Sequence, residues 1–231
     1  FEQNAYRGVG HALREGGYSS VFLHGARVGS FGLVGFSGVA GFDRYLGWED
    51  LPVRKEDIDG TWGVWDHAMA PLVVKVLSEQ REPFLGLWFT LSSHAPYNVP
   101  EPRFHVTPPS EPDAPLRDSM RYTDEALGRF FDKARRQPWF PRTVFVLVAD
   151  HTAGKGLFAG LRDRHRVPCL LYGPGIVPSG ISNRTASQTD LLPTLLDLAG
   201  VPAGHHAFGR SLLLHGGGID RRALGRIVFS D

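Results

Sequence analysis

Apolar residues along the chain follow two different spacings, one typical of helices and one typical of buried strands. Residues 66–80 and 116–135 place apolar side chains three or four positions apart, which predicts two amphipathic helices. Residues 84–91 and 143–149 are instead continuous apolar runs, which indicates strands buried on both faces. This alternation predicts an α/β domain with a mostly parallel sheet and helices on both of its faces.

Weaker patterns complete the predicted order of elements. They indicate helices at 6–15 and 189–199, strands at 20–23 and 167–172, and a last strand at 226–230 on an edge of the sheet. The proline-rich stretch 96–115 is predicted to be an ordered surface excursion, since the patterns on both sides of it belong to one fold. We therefore expect residues 1–231 to form a single domain.

Composition and charge exclude several classes of protein. Lys and Arg number 25 and Asp and Glu 24, so the formal net charge is +1 and nothing attracts nucleic acid or anionic lipid non-specifically. The hydrophobic content of 42% is too high for a disordered chain. The single cysteine, Cys169, excludes a disulfide framework and a Cys-based zinc site, and its place inside a predicted strand indicates a buried side chain.

Histidines follow three of the predicted strands. His24 follows the first, His94 the second, and Asp150 with His151 the third. Ligands of parallel sheets bind beyond the carboxyl ends of the strands, so we expect these side chains at one edge. A carboxylate oxygen and an imidazole nitrogen suit Zn²⁺ or Mn²⁺, and His24 and His94 are either further ligands or donors to an anionic substrate. One such histidine is typical of any polar strand end; three at one edge favour a functional site.

Longer segments carry a resemblance to a known family. They are residues 17–25 (GYSSVFLHG), 90–96 (TLSSHAP), 122–130 (YTDEALGRF), 146–151 (VLVADH), 167–175 (VPCLLYGPG) and 188–200 (QTDLLPTLLDLAG). In their order and spacing the chain resembles the C-terminal two-thirds of a sulfatase-like catalytic domain of the alkaline phosphatase superfamily. It is most similar to the lipoteichoic acid synthases and the phosphoglycerol transferases.

The resemblance implies roles for the same four residues. Asp150 and His151 match the metal-binding Asp-His pair of the family, and His94 matches the histidine that contacts the substrate phosphate. His24 matches a second histidine of the substrate pocket. The family's activity implies a hydrolase of phosphate or sulfate esters, or a phosphoglycerol-type transferase. Its cofactor would be a divalent ion: manganese, zinc, calcium or magnesium.

The chain departs from the family pattern in two places. The lipoteichoic acid synthases have a Trp and an Arg after the histidine that His24 matches, whereas residues 30–35 here read Ser-Phe-Gly-Leu-Val-Gly, which leaves Arg27 as a candidate anion clamp. The family's first strand, with an acidic metal ligand and the nucleophile, precedes the segment that opens this chain. We therefore expect an N-terminally truncated domain, inactive by itself.

A missing first strand has structural and functional consequences. It predicts a vacant central position in the sheet or an exposed edge, to which an upstream piece or a second copy of the chain would pair. Relatives work outside the cytoplasmic membrane, often tethered by upstream spans, which implies a periplasmic or extracellular location. The alternative is a catalytically silent domain that binds anionic glycans or a protein partner.

Overall fold

The structure is a computed structural model that describes residues 6–153, 160, 163–177, 179–182 and 185–213, together with the backbone of residues 226–230. Within these residues the helices are α1 (Val9–Glu15), α2 (Leu33–Ala40), α3 (Asp66–Ser78), α4 (Ala114–Ala134) and α5 (Leu191–Ala199). The strands are β1 (Ser19–His24), β2 (Arg44–Leu46), β3 (Phe84–Phe89), β4 (Thr143–Val148), β5 (Cys169–Tyr172) and β6 (Arg226–Ser230). They form one sheet in the order β2-β1-β3-β6-β4-β5, in which every pairing is parallel except that of β4 with β5.

Helices cover both faces of this sheet, as the hydrophobic pattern predicts. Leu77 of α3 and Phe130 of α4 share one core with Trp88 of β3. Leu195 of α5 belongs to a second core with Phe22 of β1. Successive strand residues point to opposite faces, so His24, two residues after Phe22, lies on the α5 side of the sheet. The α/β architecture is confirmed.

The position of β6 differs from the prediction. We expected residues 226–230 at an edge, but β6 lies between β3 and β4, where Ile227 pairs with Leu85 on one side and Val144 on the other. The run Ile-Val-Phe has no polar alternation, and such a run suits a strand with neighbours on both sides. No position between β2 and β5 is vacant in the described part of the sheet, so of the two expected alternatives the exposed edge stays a prediction.

Cys169 also differs from the prediction, because its side chain is exposed. β5 is the last strand of the sheet and pairs only with β4. Its neighbour Leu170 is 57% exposed, so this end of the sheet is poorly covered. A strand sequence alone does not tell a central position from an edge position.

The sheet positions the candidate site. Strands β1, β3 and β4 run parallel, so their carboxyl ends open onto the same edge. His24 is the last residue of β1, and the segments with His94 and with Asp150 and His151 follow β3 and β4.

Candidate functional site

His24 is completely buried at the end of β1. It pairs in register with Phe89 of β3, whose ring centroid lies 5.3 Å away, and the ring of Phe31 lies 5.7 Å away on another side. Neither nitrogen of its imidazole has a hydrogen-bond partner among the described residues. Burial lowers the pKa of His24 to about 4, so the ring is neutral at pH 7. A buried polar group without a partner costs about 1–3 kcal/mol, which indicates a place for a ligand or water.

His94 lies in the turn that follows β3 and is exposed. Its Nδ1 atom is 2.8 Å from the carbonyl oxygen of Ala95. A carbonyl oxygen only accepts, so Nδ1 carries a proton, and Nε2 of the neutral ring is left as a base. Trp62 holds the same turn, because its Nε1 donates to the Ala95 oxygen at 2.6 Å and its ring meets the His94 ring edge-on at 4.6 Å.

Phe31 lies between the two histidines. Its ring centroid is 5.7 Å from that of His24, 6.4 Å from that of His94 and 5.3 Å from that of Trp62. The backbone of Phe31 is in the left-handed region at φ 58° and ψ 7°, which costs a residue with a side chain about 1–2 kcal/mol. The structure thus brings His24 and His94 together around one strained aromatic residue.

A buried carboxylate fixes the turn that carries His94. Asp66, the first residue of α3, accepts hydrogen bonds from the backbone N–H groups of Leu91 at 3.0 Å and Ser92 at 2.9 Å. Its own backbone N–H donates to Oγ of Ser92 at 3.1 Å. Burial raises the pKa of Asp66 to about 6, and the hydrogen bonds from Ser92 and Leu91 pull that pKa downwards.

Tyr122 of α4 extends this network. Its hydroxyl accepts from the backbone N–H of His67 at 3.2 Å and lies 2.7 Å from Nδ1 of the same residue. The sequence interpretation missed both Asp66 and Tyr122 as parts of the site. An acidic residue at a helix start is typical of an ordinary cap, and no local pattern shows that its oxygens reach a turn 25 residues away.

Asp150 and His151 form an exposed pair just beyond β4. The backbone N–H of His151 donates to Oδ1 of Asp150 at 2.8 Å, and Nε2 of His151 lies 3.3 Å from Oδ2. Nδ1 of His151 donates to the Thr152 carbonyl at 2.7 Å, which leaves Nε2 free to bind a metal ion. The side-chain amide of Gln188 donates to the carbonyls of Ala149 and Asp150 at 2.8 and 2.7 Å and so holds the main chain here.

The Asp150–His151 pair fits two positions around one metal ion. Two ligand atoms each about 2.1 Å from a zinc ion, at the tetrahedral angle, are about 3.4 Å apart, close to the observed separation of 3.3 Å. The described residues contain no group of three or more His, Cys, Asp or Glu side chains that could hold a metal ion. His24 and His94 therefore do not join this pair as ligands in the described structure. Since β6 separates β3 from β4, two strand spacings, about 10 Å, lie between the strands that carry His94 and the pair.

An open cleft of about 490 Å³ is lined in part by the rings of Phe31 and Trp62. Its lining includes Arg27, Ser30, Phe31, Trp48, Thr61 and Trp62. The guanidinium of Arg27 lies 4.7 Å over the ring of Trp48, while its contact with Glu49 is long, at 3.8 Å. The cleft therefore offers one cation and several aromatic faces beside the histidines.

Comparison with known proteins identifies the family. The sulfatase family profile matches residues 2–201, and the chain belongs to the sulfatase family. It is 22% identical to lipoteichoic acid synthase 1 of Bacillus subtilis over 236 residues, which cover 91% of this chain and 36% of that protein. It is 32% identical to the extracellular sulfatase SULF-1 homolog of Drosophila melanogaster over 102 residues, which cover 41% of this chain and 9% of that protein. The chain therefore spans only a minor part of either relative.

Solved structures support the same fold. An alkaline phosphatase superfamily protein from Vibrio parahaemolyticus matches with a TM-score of 0.76 and 30% identity, over 91% of this chain and 52% of that one. The lipoteichoic acid synthase LtaP from Listeria monocytogenes matches with a TM-score of 0.77 and 19% identity, over 90% of this chain and 56% of that one. The predicted resemblance to a sulfatase-like domain close to the lipoteichoic acid synthases is confirmed. Among the described helices none is both long and apolar enough to cross a membrane.

Proposed function

We propose that this chain forms the metal-binding and anion-binding part of an enzyme that hydrolyses phosphate or sulfate esters, or transfers a phosphoglycerol-type group. The supporting observation is the placement of His24, His94 and the Asp150–His151 pair beyond the carboxyl ends of parallel strands at one sheet edge. Family membership supports an anionic ester as the substrate class. We further propose that the chain is inactive without a nucleophile supplied from outside it.

Asp150 and His151 would hold a divalent ion through Oδ2 and Nε2. Carboxylate and imidazole together favour manganese or zinc over calcium or magnesium. When bound, such an ion neutralises the non-bridging oxygens of the ester and lowers the pKa of an attacking hydroxyl.

The histidines would act on the transferred group and on the leaving group. The hydrogen bond from Nδ1 of His94 to the Ala95 carbonyl leaves Nε2 as the nitrogen available to a substrate. In its protonated form, Nε2 donates to an anionic oxygen or gives its proton to the leaving alkoxide. His24, which is neutral and has no hydrogen-bond partner among the described residues, would donate one hydrogen bond to an oxygen of the substrate without adding charge.

The test uses the longest natural protein that contains this chain, because the chain covers only part of its relatives. Hydrolysis of p-nitrophenyl phosphate and p-nitrophenyl sulfate is measured with and without Mn²⁺, for the unaltered protein, Asp150→Asn and the control Asp132→Asn, whose exposed carboxylate lies on α4. We expect manganese-dependent turnover of one ester, reduced about 100-fold in Asp150→Asn and unchanged in the control. Absence of metal-dependent turnover on both esters would contradict the enzymatic proposal.

A second candidate is a catalytically silent domain that binds anionic glycans or a protein partner. The open cleft supports this reading, since Arg27 and the faces of Phe31, Trp48 and Trp62 are suited to an anionic sugar. Binding of a sulfated oligosaccharide without turnover would favour it.

Pairing of chains through a sheet edge also stays a prediction, which the mass of the protein in solution tests.

The location is proposed to be periplasmic or extracellular. The support is the relative from Drosophila melanogaster, which is described as an extracellular sulfatase homolog. Cell fractionation of the source organism would test this proposal.

A further inference from the structure

The buried ring of His24 contacts a residue that is itself exposed. His24 has no exposed surface, whereas Phe31, whose ring meets it edge-on at 5.7 Å, is 54% exposed. The ring of Phe31 also lies 6.4 Å from that of His94, which is exposed. Phe31 therefore stands between the buried imidazole and the open side of the site.

Among the described residues, nothing packs closely against the two glycines beside Phe31. Gly29 precedes the short helical turn Ser30–Gly32 and Gly32 is its last residue, and neither has a neighbouring atom within 4 Å of the place where a Cβ would lie. Packing therefore does not require glycine at either position. Gly32 has φ +68° and Phe31 has φ 58°, so two consecutive residues adopt the left-handed conformation, which is strained for Phe31.

The imidazole under Phe31 lacks the partners that a buried polar group normally has. Both of its nitrogens are unpaired among the described residues. A histidine that served only the core would be expected to hydrogen-bond at least one nitrogen. The two unpaired nitrogens therefore indicate a place for a ligand or water beside the ring.

We infer that Phe31 is a movable cover over His24, which swings about Gly29 and Gly32 and opens the imidazole to an anionic group held beside His94. The cover determines which ligands reach His24. The identity of the ligand as an anionic ester rests on the proposed function, whereas the movement of the cover does not.

The test follows the imidazole signals of the isotope-labelled chain by NMR during a pH titration, with His24→Gln used to assign His24. In the unaltered protein we expect His24 to titrate at a pKa of about 4, because burial lowers its pKa. Removing the ring in Phe31→Ala should raise this pKa by at least one unit towards 6.5. His94, whose ring lies 6.4 Å from that of Phe31, and Arg27, which lines the cleft, are left unaltered in both Phe31 variants.

Phe36→Ala is the matched control. Phe36 is also 54% exposed and lies on α2, and no ring contact joins it to His24, His94 or Trp62 among the described residues. It should leave the His24 titration unchanged. Phe31→Gly is a second variant that also removes the ring and tolerates positive φ, so it keeps the test available if Phe31→Ala does not fold. An unchanged His24 pKa in a folded Phe31 variant would overturn the proposal that Phe31 covers His24.

A second arm separates the cover from the proposed function. Inorganic phosphate is added at constant ionic strength and pH 7, and the signals of His24 and His94 are followed. Larger shifts of His24 in Phe31→Ala than in the unaltered protein support both proposals. If the His24 pKa is raised in Phe31→Ala but neither histidine responds to phosphate, the result supports the proposal that Phe31 covers His24 and contradicts the anion-binding function.

Discussion

Asp66 and Ser92 bond to each other in both directions. The backbone N–H of Ser92 donates to Oδ2 of Asp66 at 2.9 Å, and the backbone N–H of Asp66 donates to Oγ of Ser92 at 3.1 Å. This pair joins the start of α3 to the turn that carries His94. The position of His94 is therefore set by a side chain from another element.

Substitution of Asp66 tests this link. Asp66→Ala leaves the N–H groups of Leu91 and Ser92 buried without an acceptor, so we expect a loss of about 2–4 kcal/mol in the free energy of unfolding at pH 7. Asp66→Asn keeps one acceptor oxygen and should lose less. Urea unfolding measures both, and an Ala variant as stable as the unaltered chain would refute the link.

His24 makes stability depend on pH in one direction. Its pKa is about 4 in the folded chain and near 6.5 when unfolded, so the unfolded state binds more protons between these values. The contribution of His24 to the free energy of unfolding is fully present above pH 6.5. It falls by up to about 3 kcal/mol as the pH is lowered to 4. In His24→Gln this loss should be absent from urea unfolding curves collected between pH 4 and 7.

Asp66 acts in the opposite direction over nearly the same range. Its folded-state pKa is about 6, above the ordinary 3.8, so the folded state binds more protons between these values and is destabilised as the pH rises through them. The two groups largely offset each other in the unaltered chain. Stability should therefore fall from pH 4 to 6 in His24→Gln and rise in Asp66→Asn. Identical slopes in the two variants would show that neither group titrates as described.

The Asp150–His151 pair predicts metal affinity. Replacing either residue, by Asp150→Asn or His151→Gln, should weaken Mn²⁺ binding at least about 10-fold in calorimetric titrations of the longest natural protein that contains this chain. Asp132→Asn, which removes an exposed carboxylate on α4, should bind Mn²⁺ normally. Equal affinities in all three variants would place the metal elsewhere.

Gly86 tests the packing of α3 on the sheet. A Cβ at Gly86 would collide with Cδ2 of Leu77, which is fully buried, so Gly86→Ala should destabilise the chain by about 1–3 kcal/mol. Gly38 on α2 has open space at the same position, and Gly38→Ala should stabilise that helix by up to about 1 kcal/mol. Thermal unfolding compares the two variants. A Gly86→Ala variant as stable as the unaltered chain would show that Leu77 does not pack closely against Gly86.

Strong periodicity made much of the fold predictable. The helices α3 and α4 and the strand β4 have long, regular apolar patterns, and their observed bounds lie within two residues of those predicted. The prediction omitted α2 and β2. α2 is apolar on nearly every side and contains two glycines, so it shows no amphipathic period, and β2 is only three residues long.

Only those residues of the candidate site that lie at or after the ends of predicted strands could be predicted from the sequence. The pattern placed His24, His94, Asp150 and His151 at one edge because each follows a parallel strand, and the strand order agrees with this. The left-handed backbone of Phe31 and the reach of Asp66 to Ser92 arise from tertiary contacts. No local spacing encodes them.

We propose that His24, His94 and the Asp150–His151 pair form one site, and titration with Mn²⁺ tests this claim. Bound Mn²⁺ broadens the NMR signals of nearby nuclei, so a titration can be followed on all 10 histidines. We predict that His151 broadens first, followed by His94 and His24 ahead of the other histidines, and that Asp150→Asn abolishes the effect. Broadening confined to His151, or spread evenly over all histidines, would contradict the claim.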